Sequence, residues 1–565
     1  MGEGILKKRK LIIEEISEEG RVTQEDSIAS GNVTCEEEIE MPEKEMSFEH
    51  HDEPRVLQSD EVCLLDDTNS DIESPSSDIE IGKSVVIMTK TSNAASKEEK
   101  PCAFQSASFK LFIDYGNRLK KIHGKPITVP KYEPERVKMV DQKLSTNAII
   151  RLAGKKFIQF LETSSEDLSM NCLLFSEAFS SLKKEDARDV EIVFYLLASA
   201  DQVDQKQFDH ARMLLEHCEE LSSCVGDPVQ RLVYYFSKAL NEKIDQETMR
   251  KTPSNLGIKQ LQDVEEGMMT VNSTALALNK VFPACYIIQL AGIQAIVELA
   301  SEAKKIHIID FAIKAGQHHS MLIQALADES ECHLEHLKVT AVGTASKSKI
   351  EETGNRLISF AQSLSLPFSF NVVMVDDILD LDEGLLSVNS DEIVVVYSTY
   401  FLRSLLGQPD RLESLMRVIR SIKPSLMIVA EVESNRNSPV FVNRFIEALF
   451  FFGAHFDSLE DCMKNDESNK SIMESFYFST GINNIVATEG QQRAFREVKI
   501  EVWRAFFDRF GMLETPLSIS SLAQAKAVIK NYSCGRSCSL DMDGKCLIIG
   551  WKETPLYSLS AWTFK

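Results

Sequence analysis

The stretch IHIIDFAIKAGQHHSMLIQALAD, residues 306–328, decides the fold. Ile306, Ile308 and Ile309 form a short β-branched run that ends at Asp310 and Phe311, and a loop holding Gly316 follows. Such a run, bounded by turn residues, predicts a buried strand, and the helical spacing over 320–328 predicts a helix directly after it. The alternation continues downstream. Strands are predicted over 306–311, 339–342, 372–375, 393–397 and 426–432, with helices over 320–328 and 349–363 between the first three. Strand and helix in turn predict an α/β fold, a Rossmann-like and mostly parallel sheet with helices on both faces. Nearer the end, 527–532 and 545–551 are predicted to pair as a hairpin around Asp543-Gly544 and close the sheet.

Upstream of residue 303 the periodicity is helical throughout, as in Leu173, Leu174, Ala178, Phe179 and Leu182, then Ile192, Val193, Leu196 and Leu197. Asp227-Pro228 starts one such helix, with Asp227 as the cap and Pro228 in the first turn. Folding is expected to begin near 105, where Phe104, Phe109, Phe112 and Tyr115 arrive together. The first hundred residues carry 26 acidic and 11 basic side chains, and Phe48 is their only aromatic. That composition buries too little apolar surface to offset its ordering entropy. Three parts follow: a disordered acidic arm over 1–104, a helical cap over 105–302 and an α/β core over 303–565.

The whole chain has 62 basic against 86 acidic residues, a net charge of −24, which argues against gripping nucleic acid by bulk electrostatics. No stretch is expected to reach the roughly 18 apolar residues of a membrane span, so a soluble chain with no membrane partner is predicted. Its 12 cysteines are scattered, which predicts a reducing compartment. Cys534, Cys538 and Cys546 lack a fourth ligand for zinc. Within the arm, Lys7, Lys8, Arg9 and Lys10 form a candidate nuclear-import address. Val62, Leu64, Leu65, Asp66, Asp67 and Ile79, Glu80, Ile81 have the mixture of an amphipathic activation segment.

An enzyme of this fold would hold a dinucleotide or S-adenosyl-methionine in the turn after the first strand. That turn has one glycine, Gly316, where a G-x-G-x-x-G loop needs three, and Phe311, Ile313 and Lys314 are expected to crowd the ligand's place. Val342-Gly343-Thr344 also lacks the acidic residue that would hold a ribose. The chain has no G-x-S-x-G, H-E-x-x-H or G-x-x-x-x-G-K-[ST] motif. No cofactor is expected. His307, Asp310, His318 and His319 are the most ligand-like cluster, and they read as hydrogen-bonded structural residues.

The segment His307, Ile308, Ile309, Asp310, Phe311 and Gly316, continuing into 322–327, resembles the VHIID motif of the plant GRAS family of transcriptional regulators. Residues 226–240 resemble the end of the family's first leucine-rich region. Pro439, Phe441, Arg444 and Phe445, then 484–490 and Arg493 to Glu497, resemble its PFYRE region; Trp551, Ser560 and Trp562 fall in a stretch similar to its SAW motif. The resemblance implies a methyltransferase-like core under a helical cap, without known catalysis. It also implies work in the nucleus through protein partners, with direct DNA contact in some members. This chain departs from the family at His318-His319-Ser320, where Gln-Trp-Pro is usual. The wording is nearest the DELLA and SCARECROW-like branches, yet the DELLA and VHYNP elements are missing, so binding of the gibberellin receptor is not expected.

Three surfaces are candidates for partners. Leu402, Leu405 and Leu406 form an L-x-x-L-L string that sets leucines on one helical turn, the spacing of a docking motif and equally of a core helix. The helices around 173–182 and 211–221 are expected to expose apolar stripes suited to a homodimer or a heterodimer with another GRAS protein. Arg417, Arg420 and Lys423, with Arg493, Arg496 and Lys499, supply local positive charge for DNA phosphates. The expectation is a non-enzymatic nuclear regulator acting on DNA-binding transcription factors. Its rivals are a methyltransferase with an atypical loop and a small-molecule receptor using the cleft at the sheet edge.

Overall fold

The computed structural model describes residues 143–163, 182–249, 277, 282–328 and 334–565. The acidic arm with Lys7–Lys10, the aromatic onset at 104–115 and most of 173–182 lie outside the described residues.

Five strands, β1 (Lys305–Asp310), β2 (His336–Gly343), β3 (Phe368–Met374), β4 (Ile393–Thr399) and β5 (Leu426–Val432), run parallel in the spatial order 3-2-1-4-5. Four more complete the sheet: β6 (Met512–Thr515), β7 (Cys538–Asp543), β8 (Cys546–Trp551) and β9 (Thr554–Phe564). β9 lies antiparallel to β5 and is followed by β8 and β7, while β6 pairs with the far end of β9. The fold is the expected α/β one. Both faces of β4 and β5 are covered, so their sequences are near-continuous apolar runs, whereas β3 at the sheet edge alternates and is only half-buried. β5, for example, is buried at every position.

Among the described residues five helices precede β1: α1 (Thr146–Thr163), α2 (Lys184–Asp204), α3 (Phe208–Leu221), α4 (Pro228–Glu247) and α5 (Pro283–Ala300). Asp227 starts α4 as its sequence implies. Its Oδ1 accepts from the backbone N–H of Val229 and Gln230 at 3.0 Å each, and the Gln230 side chain accepts the Asp227 N–H in return. Two of the four orphan donors of the helix start are thereby met. α6 (Gln317–Asp328) and α7 (Lys347–Ser363) connect β1 to β3, and α8 (Leu402–Leu405) and α9 (Pro409–Ile422) connect β4 to β5. After β5 come α10 (Phe441–Cys462), α11 (Glu467–Ile472), a π-helical turn Met473–Phe478, α12 (Ser479–Val486) and α13 (Ile500–Asp508). α14 (Ile519–Asn531) precedes β7. Alternate strand residues feed two cores. Ile308, Val395 and Ile428 join the cap helices, with Phe236 of α4 edge-on to Phe445 of α10, while Ile309, Val396 and Val429 pack with α9 and α13.

Two expectations need correction. The hairpin turns at Asp543-Gly544, but its first arm is 538–543 and not 527–532, of which 527–531 finish α14. The run Ala527, Val528, Ile529 is apolar enough for either element, and its three-residue period with Leu522 and Ala525 buries a helix face. The second concerns membrane-like stretches. α5 is long and apolar enough, by length and composition, to match a membrane span. In this fold it is an inner helix: Ile287, Ile288, Ala291 and Ile296 are buried, α14 packs along it, and Gly292 lets Tyr397 and Ile428 approach.

Candidate functional site

The end of β1 gathers three of the four ligand-type residues singled out by the sequence. Asp310 is fully buried, and its Oδ1 accepts the Ala312 N–H at 2.7 Å. Its Oδ2 accepts from Nε2 of His318 at 2.7 Å and of His319 at 2.8 Å, both at the start of α6. Burial alone would raise the Asp310 pKa, but the two imidazole hydrogen bonds outweigh it and hold the carboxyl well below its usual range. Burial, with the charge of His318 adding, holds His319 down to about 4. The three ligand atoms lie within 4.8 Å of one another, close enough to share a metal ion. His307 is three residues earlier on the strand, so it points to the opposite face. There its Nδ1–H donates to Glu392 at 3.1 Å and its Nε2 accepts from Thr340 at 2.7 Å.

The loop after β1 is less closed than its side chains imply. Phe311 is buried and stacked on Phe401, with ring centres 5.8 Å apart. Lys314 and Gly316, however, turn through positive φ of 49° and 70°, and this carries the loop across the sheet end. Ile313 and Lys314 thus form the wall of a cavity of about 300 Å³ instead of filling it. At Gly316 an added Cβ would meet the Thr353 methyl at 2.7 Å, so space as well as φ demands glycine. The end of β4 (Tyr397, Thr399), Arg403, Arg436 and helices α5, α10 and α12 complete the cavity.

Most of the PFYRE and SAW residues are buried, Arg444, Arg493, Glu497, Trp551, Ser560 and Trp562 among them, while Pro439, Glu489 and Gly490 face solvent. Glu497 accepts from Arg436 at 3.2 Å and faces Arg403 at 3.6 Å. Arg444 pairs with Glu489, which also meets Lys243 of α4 at 3.1 Å, so this ion cluster ties the cap to the core. Arg493 and Arg496 both donate to Asn437. On β9, Ser560 donates to the Val429 carbonyl at 3.3 Å and accepts from Trp562 Nε1 at 2.9 Å; Trp551 is buried on β8 beside Phe282. Sequence reasoning did not find Tyr397, Tyr400, Arg403 or Arg436 in this cluster. Their only signal was position, at the C-terminal ends of parallel strands.

The surface candidates change accordingly. Leu402 and Leu405 are buried in the second core and Leu406 packs against it, so the L-x-x-L-L string faces inward. Arg493 is buried too, and only Arg417, Arg420 and Lys423, on and just after α9, face solvent as a group. Even there Arg417 meets Glu413 at 3.3 Å. On α3 the outward residues are Asp209, His210, Met213, Glu216, Glu219 and Glu220, an acidic face in place of the expected apolar stripe. The cysteine trio does not converge: Cys538 and Cys546 are buried on β7 and β8, and the Sγ of Cys534 lies 2.6 Å from that of Cys462.

Residues 192–563 match the family model described as GRAS domain family. The chain belongs to the GRAS family. Among curated relatives it is 27% identical to the DELLA protein GAI1 of Vitis vinifera over 66% of this chain and 62% of the relative. It is 28% identical to the GRAS family protein RAD1 of Medicago truncatula over 74% of this chain and 82% of that one. Thus this GRAS chain spans less than two thirds of the length of the DELLA relative. The crystal structure of SCL7 from Oryza sativa superposes with a TM-score of 0.54 at 27% identity, covering 62% of this chain and 93% of that one.

Proposed function

We propose that this GRAS protein is a plant regulator of transcription that acts in the nucleus by binding DNA-binding transcription factors, without catalysis of its own. The observation that carries the reading is the family match over 192–563, which takes in the VHIID, PFYRE and SAW stretches. The geometry supports a scaffold role for those motifs. Most of their charged and aromatic residues are spent on ion pairs and strand contacts within the fold, which leaves recognition to the outer surface. The three-part organisation belongs to the same proposal, with the acidic arm 1–104 carrying import and activation segments, the helical part 105–302 as a cap and 303–565 as the core. The exposed Arg417, Arg420 and Lys423 are the group available to phosphate. Dimers with another GRAS protein remain part of the proposal through the acidic face of α3, which would take a basic partner surface.

The test is a reporter in plant protoplasts with the full chain tethered to a promoter, together with proximity labelling in nuclei. A changed reporter and labelled transcription factors are expected. An unchanged reporter with labelling confined to cytosolic proteins would overturn the reading. Charge reversal at Arg417, Arg420 and Lys423 tests direct DNA contact: a salt-dependent retention on DNA cellulose should be lost.

A further inference from the structure

A doubly wound sheet binds its ligands where the strand order reverses, outside the carboxyl ends of the strands. In this protein that point lies between β1 and β4, and the cavity opens there. Its volume of about 300 Å³ is within the range of small-molecule sites. Ile288, Phe451 and Val432 give it apolar walls.

Two buried polar atoms beside it lack a hydrogen-bond partner among the described residues. One is the hydroxyl of Tyr397, a residue with no exposed surface. The other is Oε2 of Glu497, whose Oε1 serves both Arg403 and Arg436. Leaving a buried polar group unsatisfied costs about 1–3 kcal/mol, so the Tyr397 hydroxyl, a donor, calls for an acceptor in the cavity, while the charge of Glu497 is already met by its two arginines. The charge around them is lopsided. Among the described residues that line the cavity, Lys314, Arg403 and Arg436 stand with one carboxylate, Glu497. Among the other walls, burial raises the Tyr397 and Tyr400 hydroxyls and lowers His455 to about 4, so these three add no charge near neutral pH. Lys314 and Arg403 stand over the same ring, 4.8 and 5.7 Å from the centre of Tyr400, so both cations reach one end of the cavity.

We propose that this cavity binds a small organic acid, its anionic group between Lys314 and Arg403 and its hydrocarbon body against Ile288 and Phe451. The Tyr397 hydroxyl supplies a second polar contact within the apolar part. The inference is independent of the regulatory reading above, for a regulator without this ligand and a ligand site without regulation are both separable outcomes.

The test uses two fluorescent probes that differ chiefly by one charge, 8-anilino-1-naphthalenesulfonate and neutral N-phenyl-1-naphthylamine, titrated into the full chain. The sulfonate should bind saturably at one site, at least about tenfold tighter than the neutral probe. Arg403→Gln should erase that preference by weakening the sulfonate alone, and Tyr397→Phe should weaken both probes. Equal affinity for the two probes, or sulfonate binding unchanged by Arg403→Gln, would overturn the proposal. Should Arg403→Gln lose its melting transition, Lys314→Met replaces it with the same two outcomes.

Discussion

Replacing His455 by Asn and, separately, Glu431 by Gln should tilt the acid stability of the fold in opposite directions. His455 is enclosed between α10 and β9: its Nδ1–H donates to the Phe451 carbonyl at 2.9 Å, so its Nε2 must accept from the Tyr557 hydroxyl at 2.7 Å. The ring is thus neutral, and burial holds its pKa near 4 against the ordinary 6.5. As pH falls below 6.5 the unfolded chain takes up a proton that the folded one refuses, and stability drops until about pH 4. At 1.36 kcal/mol per unit of pKa difference the loss is ~3 kcal/mol. Glu431 has the opposite sign. Burial pushes its pKa up to about 7, so the folded chain takes the proton first and gains ~3 kcal/mol as pH falls from 7 to about 4.5. His319 and Glu474 repeat the two cases, at about 4 and about 7, and the pairs oppose each other. Urea unfolding at pH 7, 6 and 5 reads the balance. Relative to the parent, His455→Asn should gain stability on acidification and Glu431→Gln should lose it. Parallel curves for all three proteins would refute the reasoning.

Arg231 of α4 meets Glu460 at 2.9 Å and the buried Glu474 at 3.0 Å, so Arg231→Met removes the cation that keeps Glu474 ionised, and its cost by urea titration, about 3–5 kcal/mol above pH 8, should shrink on acidification as Glu474 takes a proton. Asp227→Ala removes the side-chain half of the α4 capping box, leaving the backbone N–H of residue 227 on Gln230, and should cost about 1 kcal/mol, read as a lowered melting temperature. Trp562 is buried, edge-on to Phe507 at 4.7 Å, and Trp562→Ala should cost about 3–5 kcal/mol, seen as a lower urea midpoint.

β4 and β5 were legible because burial on both faces makes them near-unbroken apolar runs, and both begin where the sequence implies, whereas the half-exposed edge strand β3 begins four residues before its predicted start. β9 was not legible. Pro555 near its start argues against a strand, and Ser558 and Ser560 break the apolar pattern. The fold accepts them because both hydroxyls return hydrogen bonds to carbonyls of β5, at 3.4 and 3.3 Å. The cluster at Asp310 was half legible. His318 and His319 stand out by type and closeness, yet only the turn into α6 brings both Nε2 atoms to one oxygen, while strand alternation sends His307 away.

The cavity shows why local sequence misjudged the end of β1. Phe311, Ile313 and Lys314 are bulky enough to fill a ligand's place, and composition alone makes the pocket closed. What keeps it open is backbone direction, the positive φ at Lys314 and Gly316, together with walls drawn from more than 240 residues of separation, between α5 and Tyr557. A non-glycine residue rarely adopts that φ, and nothing in a lone lysine announces it. The cation above the Tyr400 ring gives Lys314 a reason to hold the conformation. On this account, Lys314→Gly would relieve the backbone while removing a charge, and Lys314→Asn would keep a residue tolerant of left-handed φ without the charge. If the turn and not the charge shapes the cavity, both variants should still bind the neutral naphthylamine probe. Loss of that binding in either would mean the lysine's contact with Tyr400 holds the wall in place.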